Sequence, residues 1–529
     1  MKHWTLSLFA FLLPLSLLAQ TERVYVATDR CAYLSGEPVW CSLFCVNENG
    51  LLSRESAVAY VELVSAEGTA AEAKIGLLKG RGCGTLVLPV QVPTGNYRLM
   101  AYTLLEGGEK ALQGSKLLSV YNPYSVARVK GGVQLGVLPE PVSPAREEKG
   151  IRLSVSEKVA AGKAFTLAVE GVNADVAVSV YHEDGLEQVG GSSLEQFLQD
   201  FPISAPKDAA GEYDGEVIHG NAVGAPAGSV AILSSAGSPA DTYFSVVEED
   251  GSMHFATGNI YGDREIVCVV PDAGDEVRIR LDSPFLHPAA EGIPALRLDP
   301  GQSEALIGRK NALSVLSQAD TLYAFLPRRE DLLLSGVSWE HYHLDDYTRF
   351  HTVQEIITEI LPTVRLRKDR LELSVADGTQ TLRRFKDRIL VMMDGVVIPD
   401  MNLILKLDAM LLEDIDVCTE PFSSGAHTYD GIVNFVSKMN YVRALDFPEN
   451  VYVLDFQGVS YPLAYLGAVP AGPDGRQVLY WNPSLCIKKG ENQQIHLVSP
   501  SYKGRFFVVA EGLSEEGKAV RAVTSFEVD

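Results

Sequence analysis

Apolar residues along this chain fall mostly at every second position, in short runs cut by glycine and proline. Arg23 to Ala27 alternates in this way. Gly36-Glu37-Pro38 then breaks the chain and starts Val39-Trp40-Cys41-Ser42-Leu43-Phe44-Cys45-Val46. Val58 to Val64, Gly84 to Val92 and Tyr97 to Thr103 follow, with Gly or Pro between them. Period-two patterning marks half-buried strands, and several short ones separated by turn residues predict a β-sandwich. The pattern returns at Ile151 to Val155, Ala164 to Val169 and Val176 to Tyr181, ahead of a short helix from Leu194 to Phe201. It returns again over 212–285. The tail repeats it at Gln477 to Tyr480, Gln494 to Val498, Arg505 to Glu511 and Ala519 to Val528.

Between 345 and 440 the period changes. In His351 to Leu361, Val353, Ile356, Ile357 and Ile360 recur at helical spacing, and Pro362 ends the run. Val364 to Leu366, Leu371 to Val375 and Ile389 to Met393 read as strands, the last closed by an Asp394-Gly395 turn. Leu403 to Met410 reads as helix, and Ile415 to Cys418 and Gly431 to Ser437 as strands. Helices alternating with strands predict a small α+β unit.

The N-terminus has its own signature. Lys2 and His3 precede an apolar run from Leu6 to Leu18, and Ala19 offers a small residue before Gln20. That is the plan of a secretory signal peptide, with the mature chain expected to begin near Gln20. The run is too short for a membrane span, which needs roughly 20 apolar residues. No cysteine lies near Ala19, so lipid attachment there is not expected. A formal charge of −23 disfavours nucleic acid and anionic headgroups. The expectation is an exported protein of the periplasm or outer membrane, with only peripheral membrane contact.

Export places seven cysteines in an oxidising compartment. Cys41 and Cys45 share one predicted strand and are too far apart to pair with each other. One of them could bridge to Cys83 or Cys31. Cys41 and Cys83 are the disulfide candidates, against the alternative of buried free thiols.

The stretch "VYVATDRCAYLSGEPVWCSLFCV", with "LPVQVPTGNYRLMAYT" after it, resembles an N-terminal macroglobulin-type domain of the alpha-2-macroglobulin kind. Thr28-Asp29-Arg30, Tyr33, Gly36 to Trp40 and Gly95-Asn96-Tyr97 carry that resemblance. "GEVIHGNAVGAPAGSVAILSSAG" and "YFSVVEEDGSMHFATGNIYGDREIVCVV" resemble the carboxypeptidase regulatory-type sandwich, an accessory fold that implies no peptidase activity. Val391 to Gly395, Leu412 to Val417 and Gly431 to Phe435 resemble the plug domain of TonB-dependent outer-membrane receptors. The chain has Thr428-Tyr429-Asp430-Gly431 where the receptors more often have Tyr-Gly. Residues 439–529 could supply at most about seven membrane strands, against about 22 in a receptor barrel, so the chain is not expected to be a transporter. "VLYWNPSL" and "GRFFVVAEGLSEEGKAV" resemble the end of exported Bacteroidetes-type proteins that combine these units without a barrel.

The expected fold is therefore mainly β: tandem Ig-like or macroglobulin-type β-sandwiches with one small α+β plug-like domain. The expected order is a signal peptide at 1–19, a macroglobulin-type sandwich at 20–125 and a linker at 126–148. A second sandwich follows at 149–205, and a regulatory-type sandwich at 212–285. A β-rich connector spans 286–344, the plug-like unit 345–440, and a C-terminal sandwich 441–529.

Candidate chemistry is sparse. No Gly-x-Ser-x-Gly elbow, phosphate-binding loop or Cys-Gly-Glu-Gln thioester segment is present. Gly190-Gly191-Ser192-Ser193 reads as a loop capping the helix from Leu194. His341, His343 and His351, with Asp345 and Asp346, are the densest ligand-type group. His341 and His343 on a strand would face one side, as zinc can require. No His-Glu-x-x-His spacing accompanies them, and neither metal nor cofactor is expected.

The leading expectation is a non-enzymatic envelope scaffold or binding protein whose plug-like unit docks a protein partner. The expected contact is the loop from Glu420 to Asp430: Phe422, Ser423, Ser424, Gly425, His427 and Tyr429. Two alternatives stand beside it. One is a metal-dependent hydrolase using His341 and His343. The other is a glycan-binding sandwich, which needs aromatics such as Trp40 or Trp481 exposed on one face.

Overall fold

The computed structural model describes residues 22–105, 116–137, 143–199, 211–236, 241–271, 273–316, 323–325, 337–368, 370–376, 382–385, 388–424, 427–470 and 474–529. The expected signal segment, Pro139, Pro141 and Gly425 lie outside the described residues. The chain is mainly β, with 50% of residues in strands and 9% in helices. No helix among the described residues is long and apolar enough to cross a membrane.

The first sandwich is one eight-stranded sheet doubled over a single core. Gly68–Leu78 makes the fold possible. It pairs along Val58–Ser65, but meets Arg81–Val87 only at Leu77↔Gly82 and Leu78↔Arg81. Beyond that point the two edges diverge and the sheet becomes two layers. Alternation sends Val24, Val26, Leu43, Val61, Leu63, Ile75, Leu99 and Val120 into the core. Gly36, at φ +93°, makes the break before Pro38–Asn47, a conformation that strains residues with a Cβ.

The sandwiches expected separately at 149–205 and 441–529 are one unit. Ala174–His182 lies between Val478–Ile487 and Gly504–Ser514. Ala164–Gly171 lies between Ile151–Ser154 and Gln493–Val498. The shared core holds Leu167, Val169, Val176, Val178 and Val180 with Phe506, Val508, Ala522 and Phe526. Each half alone would leave sheet edges and an apolar face open to water.

The third sandwich also borrows from the tail. One of its sheets runs Ser252–Ala256, Val217–Val223, Arg278–Leu281. The other runs Asp241–Val246, Val230–Ser235, Asp263–Val269, and is closed by Tyr452–Gln457. The expected linker at 126–148 is tied down as well. Val133–Leu135 pairs with Leu296–Leu298, and Glu147–Lys149 pairs with the last strand, Ala519–Val528. The expected β-rich connector at 286–344 contains instead the longest helix of the described chain, Ser303–Leu316.

The α+β unit is a five-stranded sheet in the order Glu340–His343, Leu412–Cys418, Gly431–Ser437, Ile389–Met393, Val396–Val397. Helix Val353–Glu359 covers one side. It starts at a capping box, in which Thr352 and Glu355 satisfy each other's backbone N–H groups. Its Val353, Ile356 and Ile357 share a core with Leu390, Met392, Met393 and Phe435. The helix expected at Leu403 to Met410 is shorter: one turn over Asn402–Leu405, then a 3₁₀ turn at Ala409–Leu411. The same core takes in Val230, Ile232, Val267 and Val269, so the unit sits against the third sandwich.

Candidate functional site

The edge strand Glu340–His343 presents His341 and His343 on one side, because side chains two apart share a face. Its neighbour Leu412–Cys418 runs antiparallel in a register that sets His341 opposite Asp416 and His343 opposite Asp414. His341 Nδ1 lies 2.7 Å from Asp416 Oδ1, and His343 Nδ1 lies 2.6 Å from Asp414 Oδ1. The other nitrogen of His341, Nε2, is 3.6 Å from Asp414 Oδ1. Hydrogen bonding to Asp416 raises the pKa of His341, and hydrogen bonding to Asp414 raises that of His343. Both imidazoles are substantially exposed, whereas the two carboxylates are mostly covered.

Behind this row Asn434 Nδ2 donates to Asp416 Oδ2 at 3.3 Å. Asn434 Oδ1 accepts from Gly395 N at 3.1 Å. A register shift at Glu413 interrupts pairing with Gly431–Ser437 beside Asp414; bulges of this kind re-aim neighbouring side chains. The grouping differs from the one expected. His341 is joined by Asp416 and His343 by Asp414, rather than by His351, Asp345 and Asp346. Asp345 instead lies 3.5 Å from Arg349.

The segment expected to dock a partner is a hairpin. Phe422–Ser424 pairs with His427–Tyr429, and Ser423 Oγ lies 3.0 Å from Thr428 Oγ1. Phe422 and Tyr429 do not stand free. Both rings pack on Phe244 of the third sandwich, with centroids 5.8 and 6.1 Å away. They pin the base of the hairpin, while Ser423 and Thr428 remain exposed.

Two expectations fail on burial and register. Trp40 and Trp481 are 5% and 3% exposed, so neither offers a stacking face to a sugar. Cys41 lies opposite Gly84, and Cys83 lies opposite Ser42. Adjacent positions on a strand point to opposite faces, so Cys41 enters the core while Cys83 stays outside it, and no bridge forms. Cys41 and Cys45 do share the strand Pro38–Asn47.

Patterning by hydrophobicity missed a set of buried polar links between units. Glu37 is their hub. Its carboxylate accepts from Leu34 N at 2.8 Å, Arg30 Nη2 at 2.8 Å and Arg309 Nη2 at 2.8 Å. Burial would raise the Glu37 carboxyl, but Arg30 and Arg309 outweigh burial and hold it below its ordinary range. Arg309 also binds Asp184 and the carbonyl of Ala32. Lys74 pairs with Glu216, and Tyr60 donates to Glu212 at 2.9 Å. Tyr25 donates to Glu511 at 3.0 Å. The local signal available in sequence was Glu37 itself, a carboxylate wedged between Gly36 and Pro38.

No protein-family model matches the chain, and no curated protein does. Among solved structures, it is similar to trypsin-activated alpha-2-macroglobulin from Escherichia coli, at 9% identity and a TM-score of 0.24, covering 96% of this chain and 41% of that one. Salmonella alpha-2-macroglobulin reacted with methylamine matches at 10% identity and a TM-score of 0.25, covering 96% and 39%. The Escherichia coli adhesin FdeC matches at 11% identity and a TM-score of 0.15, covering 53% and 97%. The chain spans about two fifths of the length of these macroglobulins. Likeness at this level carries no argument about what the chain does.

Proposed function

We propose that this chain is a non-enzymatic scaffold or binding protein of the cell envelope whose α+β unit docks a protein partner through the hairpin Phe422–Tyr429. One observation supports the scaffold reading above others. Strands from distant parts of the sequence complete one another's sheets, as Ala174–His182 does between Val478–Ile487 and Gly504–Ser514. Buried ion pairs such as Arg309 with Glu37 reinforce the joints. Units tied in this way hold a binding surface in fixed orientation. The hairpin is anchored through Phe422 and Tyr429 and leaves polar side chains outward, which suits contact with a protein surface. Lys2 and His3 ahead of the apolar run Leu6 to Leu18 support export, and the resemblance to receptor plugs supports a role beside outer-membrane proteins.

A photo-crosslinking amino acid placed at Thr428 tests this in cells. A protein captured from Thr428, absent from the same probe at exposed Lys518, and lost when residues 423–427 become a Gly/Ser linker beside the retained probe is the expected result. Identical capture at both positions, or none from Thr428, would sink the docking role.

A metal-dependent hydrolase is the second reading, favoured by His341 and His343 lying against Asp414. Zinc-dependent hydrolysis of ester or peptide substrates that is lost in the His341→Ala/His343→Ala variant would replace the scaffold reading.

A further inference from the structure

We infer that His341, His343 and Asp414 form a binding site for a divalent transition-metal ion of the zinc type, with Asp416 orienting one of its histidines. One ligand atom from each of the three residues lies within 4.8 Å of the other two. Two imidazoles and a carboxylate are a donor set that suits zinc and its first-row neighbours. A tetrahedral ion with ligands at about 2.0–2.1 Å separates its ligand atoms by roughly 3.3 Å. The observed separations bracket that value: 2.6 Å from His343 Nδ1 to Asp414 Oδ1, and 3.6 Å from His341 Nε2 to Asp414 Oδ1.

The second nitrogen of His341 strengthens the case. Metal-bound histidines commonly donate their other ring N–H to a carboxylate, which sets tautomer and ring orientation. Here His341 Nδ1 is 2.7 Å from Asp416 Oδ1 while Nε2 faces Asp414. Asp416 is held in turn by Asn434, and Asn434 by the backbone of Gly395. The row is backed by fixed groups on its inner side and lies on an edge strand on its outer side. A fourth position would therefore open to solvent, where water or a donor from another protein could complete the ion.

A second grouping serves as a contrast. Glu62, Glu72 and His287 also approach one another. The Glu62 carboxylate, however, already accepts from Tyr102 Oη at 2.6 Å, Thr69 Oγ1 at 2.7 Å, Leu286 N at 3.0 Å and His287 N at 3.1 Å. Its lone pairs are spent on joining the first sandwich to the segment after Leu281. No such saturation holds Asp414.

The inference does not rest on the docking proposal. The test is zinc titration of the chelator-treated full chain, by calorimetry and by competition with a chromophoric chelator, with cobalt(II) absorption as a second readout. One equivalent of zinc and a tetrahedral cobalt spectrum are expected. His343→Ala and Asp414→Asn should abolish stoichiometric binding. Asp416→Asn should weaken it by about 10–100-fold, the usual cost of losing an orienting partner. Glu72→Gln should leave it unchanged. Unaltered circular dichroism separates loss of ligands from loss of fold. Wild-type protein that binds zinc no better than the His341→Ala/His343→Ala variant would overturn the site. Stoichiometric binding that survives in that variant would overturn it too.

Discussion

Lys74 Nζ lies 2.5 Å from Glu216 Oε1, with both side chains almost fully buried at the joint between the first and third sandwiches. The ammonium also sits 3.9 Å from the centroid of the Phe456 ring. Burial lowers the pKa of Lys74 and raises that of Glu216, and the charge of each partner opposes the shift of the other. Removing one partner strands the other. Lys74→Ala is expected to cost about 3–5 kcal/mol. The Lys74→Met/Glu216→Leu double variant should cost less than either single change. Equilibrium denaturation of wild type, Lys74→Met, Glu216→Leu and the double variant forms the cycle; strictly additive losses would contradict the coupling.

Arg309 uses three nitrogens on Glu37, Asp184 and the carbonyl of Ala32, and is 5% exposed. A lysine offers one point charge where the site needs a planar fork. Arg309→Lys should therefore destabilise the chain by about 2–4 kcal/mol despite conserving charge. It should also free helix Ser303–Leu316, which hydrogen exchange would report as faster exchange over 303–316. Wild-type exchange there in the variant would contradict the anchoring role.

Ile357 is fully buried under helix Val353–Glu359, in the core with Leu390 and Met392. Ile357→Asp puts an unpaired carboxylate into that core and should cost about 3–5 kcal/mol. The exposed Gln354→Ala change on the same helix should stay within about 0.5 kcal/mol. Chemical denaturation of both variants gives the comparison.

Glu212 is 2% exposed, and its pKa is pushed up to about 7, first by burial. Hydrogen bonds from Val217 N and Tyr60 Oη oppose the shift without cancelling it. Its folded pKa is thus above its unfolded one. Between about pH 4.5 and 7 the folded chain holds a proton that the unfolded chain releases, so stability contributed by this group falls as pH rises. Glu212→Gln removes the titration. Relative to wild type, the variant should gain up to roughly 3 kcal/mol between pH 5 and pH 8. A stability difference that stays flat across this window would contradict the buried neutral acid.

Local pattern made the α+β unit legible in detail. The spacing of Val353, Ile356 and Ile357, the stop at Pro362 and the apolar run Ile389–Met393 each carry their meaning within a few residues. Helix Ser303–Leu316 went unseen for the opposite reason. Its buried anchor is Arg309, a charged residue beside Gly308, so a search for apolar stripes passes over it. The stretch from Glu420 to Asp430 reads in sequence as a loop between two strands, whereas Phe422–Ser424 and His427–Tyr429 within it pair as strands of their own. That Phe422 and Tyr429 face Phe244 depends on a residue nearly two hundred positions away.

Local pattern alone carries the strand-rich character of the chain and the placing of His341 and His343 on one face, but not the strand Gly68–Leu78 or the full length of Val478–Ile487. The first two follow from a two-residue period and from glycine and proline, all local properties of the backbone. Tertiary structure alone decided that Ala174–His182 pairs with Val478–Ile487 and Gly504–Ser514, so that two expected sandwiches are one. It alone set Asp414 and Asp416 opposite the two histidines. Strand partners are chosen by which apolar faces bury together once the chain has collapsed. That choice depends on the whole set of strands, and no single segment carries a record of it.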